Sequence, residues 1–125
     1  MRRTATDLEP FRVPAYRRYM VAATITSISL WTYTTSLSWT VLGATGSAAI
    51  VALISTLMTL PLPFAAVPGG MLTDRLGPRA LVMVALLLEA GCVGVTALLA
   101  ATGLLSVPMV LAIAFVFGVA DGLQA

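Results

Sequence analysis

The chain has 125 residues, of which 59% are hydrophobic and only 10% charged, with a mean hydropathy of +1.00 and a formal net charge of +2. A soluble domain carries about a quarter of its residues as charges, so these numbers exclude an ordinary soluble fold. They also exclude a nucleic-acid partner, because the Arg residues stand at the ends of apolar runs and form no basic stripe.

Residues 1–18 are polar and basic, with Arg2, Arg3, Arg12, Arg17 and Arg18 beside Asp7 and Glu9. Pro10 and Pro14 argue against one continuous helix there. The apolar stretch that follows is too long for the core of a cleaved signal peptide, so it reads as an uncleaved anchor. Arg17, Arg18 and Tyr19 mark the membrane interface.

The first span is expected over residues 19–43, closed by the uncharged turn Ala44-Thr45-Gly46. It is unusually rich in Ser and Thr. At 100° per residue, Thr24, Ser27, Trp31, Thr34, Thr35 and Ser38 share one arc, while Thr26, Ser29, Tyr33, Ser36 and Thr40 fall on a second arc roughly opposite. Polar atoms on two sides call for neighbours or water on two sides, which places the helix inside a bundle. On this reading the first arc lines a hydrated substrate path, with Trp31 as an aromatic contact. Back-bonding of each hydroxyl to its own helix is the plainer alternative.

The second span is expected over residues 47–69, bent or loosened by Pro61, Pro63 and Pro68. A charged loop, residues 70–79, follows: Gly70-Met71-Leu72-Thr73-Asp74-Arg75-Leu76-Gly77-Pro78-Arg79. Charge near hydrocarbon is expensive unless paired or wetted, so this connection reads as functional. The third span covers residues 80–101, and Thr102-Gly103 turns the chain into a fourth over residues 104–122, with Pro108 in its first turn. The fold class is therefore all-α: a polytopic membrane protein of four transmembrane helices.

Topology follows from Arg placement. The basic residues lie before the first span and between the second and third, so the N-terminus, the charged loop and the C-terminus are expected in the cytoplasm, with the protein in the plasma (inner) membrane. Glu89 falls about 15 Å into the third span, close to the midplane of a hydrocarbon core about 30 Å thick. A carboxylate at that depth is a candidate for proton or cation coupling. Asp121 ends the fourth span on the side of Arg75 and Arg79, and one of these is its expected partner. Spacings such as Gly118-Val119-Ala120-Asp121-Gly122 permit close helix approach.

Catalysis is not expected. There is no His and no Walker-type nucleotide loop, and the single Cys92 lies in an apolar run. No metal site or cofactor is expected either.

The stretch Gly70, Leu72, Asp74, Arg75, Gly77 and Arg79 resembles, in register, the signature loop between the second and third helices of the major facilitator superfamily, with Thr73 for the usual Ala and Pro78 for a usual basic residue. The basic aromatic lead-in from Phe11 to Tyr19, Thr45-Gly46-Ser47 and the proline-rich run ending Pro68-Gly69-Gly70 look like its efflux-type permeases. The resemblance implies the first four helices of that fold and secondary active transport of a small molecule by alternating access. It also implies that Asp74 is the gating carboxylate, Arg75 and Arg79 its ionic partners, and Gly70 and Gly77 turn positions. The superfamily normally has twelve helices in two halves built from three-helix repeats. The chain is thus expected to be the N-terminal part of a longer permease, partnered by the bilayer and by the remaining helices or by copies of itself. The alternatives are a self-contained oligomeric four-helix carrier of small-multidrug-resistance size and a non-transporting membrane interaction protein.

Overall fold

The computed structural model describes residues 13–124. The expectations for residues 1–12 lie outside the described residues. Five helices make up the rest: α1 (Pro14–Thr45), α2 (Ala48–Thr59), α3 (Pro61–Leu76), α4 (Pro78–Thr102) and α5 (Val107–Leu123). The described residues contain no strand. The chain divides into two units, residues 1–39 and 40–125.

In the first unit, α1 begins earlier than expected. Pro14 does not interrupt it but opens it, because proline's fixed φ and missing N–H suit the first helical position. With 32 residues the helix is about 48 Å long, yet its hydroxyls keep it below the hydropathy of a clear membrane span. It ends where Gly46 takes a φ of 64°, with the Gly46 N–H donating to the Leu42 carbonyl at 2.8 Å.

The second unit holds the other helices. The expected second span is broken into α2 and α3 at Leu60, and together Ala48–Leu76 makes 29 residues, with a mean hydropathy of 2.1 over its apolar 18-residue stretch. Pro61 is the cause, since it offers no N–H to the Leu57 carbonyl. Leu60 itself keeps helical dihedrals, and its N–H still reaches the Thr56 carbonyl at 2.7 Å. Pro68, by contrast, sits inside α3 without ending it.

The expected loop over residues 70–79 is almost wholly helical. α3 runs on to Leu76 and α4 starts at Pro78, so Gly77 alone is left outside the two helices. Gly77 manages the reversal with φ 83° and ψ 148°, a region open essentially to glycine. Its N–H donates to the Thr73 carbonyl at 2.9 Å, and its own carbonyl accepts from the Leu81 N–H at 3.3 Å. Polar residues suggested a loop here, but charged side chains at a helix end reach water without unwinding it.

α4 has 25 residues, with a mean hydropathy of 2.3 over its apolar 18-residue stretch. It closes with Gly103 in the left-handed region, the Gly103 N–H bonding to Ala100 and the Leu104 N–H to Leu99, which is a Schellman motif. α5 has 17 residues, about 26 Å, and is apolar but shorter than the two clear spans. By length and composition, α2–α3 and α4 are each able to cross a membrane.

α5 packs against α2, α3 and α4. It buries Val110, Ala114, Phe117, Gly118, Ala120 and Gly122, mostly small residues that let backbones approach. α4 offers Leu81, Ala85, Cys92 and Thr96 from one face, and α2–α3 offers Ile54, Pro61, Ala65 and Gly69. A Cβ at Gly122 would lie 2.7 Å from the Ala65 Cβ, and one at Gly69 would lie 2.7 Å from the Leu123 carbonyl oxygen. At Gly118 the added atom would collide with the Met58 carbonyl.

Candidate functional site

Three groups of polar residues emerge. The first is the α3–α4 hairpin. Asp74, Arg75 and Arg79 are all exposed there, with Asp74 and Arg75 in the last turn of α3 and Arg79 in the first turn of α4. Thr73 donates from Oγ1 to the Gly69 carbonyl at 2.8 Å, turning its hydroxyl into the helix. Arg75 complements the negative end of α3. Asp74 at that same end and Arg79 at the positive end of α4 both stand in unfavourable dipole fields.

The second group joins α4 to α5. Glu89 lies near the middle of α4, on the face that also carries Leu81, Ala85, Cys92 and Thr96, and is half-buried. Its carboxylate accepts a hydrogen bond from Gln124 Nε2, just past the end of α5. Asp121 is the other near neighbour, within electrostatic reach of Glu89, and its backbone carbonyl accepts from the Gln124 N–H at 3.3 Å.

This corrects the expected pairing of Asp121 with Arg75 or Arg79. α5 returns antiparallel along α4, and the Gln124 contact fixes its register at Glu89, ten residues (about 15 Å) beyond Arg79. Asp121, a turn before Gln124, is carried still farther from the hairpin. Gln124 is not among the residues that the sequence singles out. A lone amide following a 17-residue apolar helix was the available signal.

The third group is the α1 hydroxyls. Thr24 donates to the Met20 carbonyl at 2.8 Å, Thr34 to Trp31 at 3.1 Å and Ser38 to Thr34 at 2.7 Å. These three thus satisfy themselves on their own helix, as the plainer reading expected. Thr24, Ser27 and Trp31 share a shallow groove on α1 with Ala23, Ile28 and Thr32, whereas Thr34, Thr35 and Ser38 are not in its lining. Trp31 is 72% exposed in that groove.

Long apolar helices joined by a Gly-Asp-Arg-Gly hairpin define a helical membrane protein of major facilitator type. The family model described as transmembrane secretion effector, a branch of that superfamily, matches residues 5–125, and the chain belongs to this family. No curated protein and no solved structure matches it. Membership makes it a transporter-like membrane protein, of a family that is not enzymatic in general.

Proposed function

We propose that the chain supplies the first four membrane helices of a secondary active transporter that exports small molecules by alternating access, the other helices coming from further chain or from further copies. The observation that carries this reading is the signature stretch at the junction of α3 and α4, between apolar helices, in a chain matched by the family over residues 5–125. The expected cytoplasmic placement of the hairpin and of both chain ends is part of the same reading, as is the plasma membrane.

The dipole argument supports a gating role for the hairpin. Asp74 and Arg79 each occupy the end of a helix that disfavours their charge, so both gain from an ion-pair partner brought up by another segment. A contact made in one state of the cycle and broken in the other has that character. The outer surfaces point the same way: Trp31, Trp39, Phe64 and Leu87 are each at least 70% exposed, which in a bilayer suits lipid or further helices.

The test is efflux of ethidium from energised cells expressing the complete coding region. Wild-type protein lowers cellular ethidium; Asp74→Asn abolishes the effect at equal membrane abundance, and Arg75→Lys retains part of it. Ethidium levels identical with and without the protein count against dye export. Full efflux by Asp74→Asn removes that carboxylate from the gate.

A further inference from the structure

We infer that the Leu60–Pro61 junction is a hinge, at which α2 bends against α3 while α5 serves as the bearing. The inference rests on the transport reading for its purpose, though not for its geometry. Ala48–Leu76 is a single apolar rod interrupted at one residue. Pro61 deprives the Leu57 carbonyl of its intrahelical donor, and Pro63 does the same to Thr59. Two ladder bonds are therefore missing within three residues just before Leu60, which lowers the cost of bending at that point.

The neighbour of the junction fits a moving part. Gly118 of α5 lies against the last turn of α2, where an added Cβ would be 3.0 Å from the Leu57 carbonyl oxygen. That is the carbonyl Pro61 leaves free. One turn on, Gly122 lies against the first turn of α3, where an added Cβ would be 3.0 Å from both Cα and O of Leu62. α5 thus touches both sides of the break with bare backbone. At these two points the contact is made by glycine, which has no rotamer to change when the two halves change angle.

α3 is held to α5 at a second place, Gly69 against Leu123, on the way to the charged hairpin. The hairpin therefore travels with α5, and α2 is the element that swings. Leu60 and Phe64, on the outer side of the junction, are 54% and 74% exposed, so that side leaves room for the bend.

Spin labels test the inference in the full-length protein in lipid nanodiscs, with native cysteines, including Cys92, replaced by Ala. One pair, Leu53→Cys and Val67→Cys, spans the junction; a second, Met83→Cys and Val95→Cys, spans unbroken α4, and all four positions are exposed. The expected result is a broad or two-peaked distance distribution across the junction and a narrow one along α4. Pro61→Ala, which restores an N–H, should remove the second population. A junction distribution as narrow as that of α4 and unmoved by Pro61→Ala overturns the hinge, even if efflux is intact. Loss of the second population in Pro61→Ala upholds it, even if no dye is ever exported, in which case only the transport reading fails.

Discussion

Replacing Gly118 by Ala adds one methyl group where α5 meets the end of α2. The ideal Cβ would collide with the Met58 carbonyl oxygen and lie 2.9 Å from the Met58 carbonyl carbon, so backbone has to move. Overpacking of this kind costs about 1–3 kcal/mol. Against it stands the better helix propensity of Ala, worth about 0.5–1 kcal/mol. The net expectation is a loss of about 1–2 kcal/mol, a factor of about 5–30 in the folded ratio. Gly91→Ala is the matched control, because a Cβ there meets nothing within 4 Å, and it should be neutral or slightly stabilising. Equilibrium unfolding by SDS titration in mixed micelles, followed by far-UV circular dichroism, reads both. Equal stability of Gly118→Ala and wild type would refute the close approach of α5 to α2. An equal loss in Gly91→Ala would refute the assignment of the loss to that contact.

The same titration checks the other stability predictions. Gly77→Ala forces a side chain into φ 83°, ψ 148° and should cost about 1–3 kcal/mol; Gly77→Asn should not rescue it, since Asn tolerates the left-handed helical region but not this one. Gln124→Leu removes the donor to Glu89 and should weaken α4–α5 packing by about 0.6–2 kcal/mol, with a double-mutant cycle against Glu89→Leu recovering most of that as coupling. Ser38→Ala should change stability by less than about 0.5 kcal/mol, because its hydroxyl only bonds back to Thr34. A changed substrate concentration dependence of efflux in that variant, with stability unchanged, would identify Ser38 as cavity lining.

Helical class and the apolar segments were legible because run length and composition alone fix them. What the sequence hid was the distinction between polar and unwound. Residues 70–76 carry an Asp and an Arg and yet remain helix, since only Gly77 needs a backbone conformation that other residues avoid. Pro14 misled in the opposite direction. A proline is a breaker in a helix interior and a starter at its first position, and composition does not say which position it holds. The signature residues of the hairpin were readable one by one. The partner of Asp121 was not, because it depends on the register of α5 against α4, which Gln124 and Glu89 set through a contact 35 residues apart in sequence.

The contacts of the second unit divide its parts into fixed and movable. A carboxylate and an amide that find each other between apolar helices are costly to separate, because each loses a hydrogen-bond partner. The Glu89–Gln124 bond therefore pins α5 to α4, and the Gly69 and Gly122 contacts pin α5 to α3. Gly118 holds the end of α2 against the same α5, and the charged hairpin lies at the far end of α3. The inferred hinge at Leu60 and the exposed charges of Asp74, Arg75 and Arg79 lie at opposite ends of α3. In the proposed transport cycle a gate uses both, one to bend and the other to exchange ionic partners, and α3 links them because it carries the hairpin at its far end and the break at its near end.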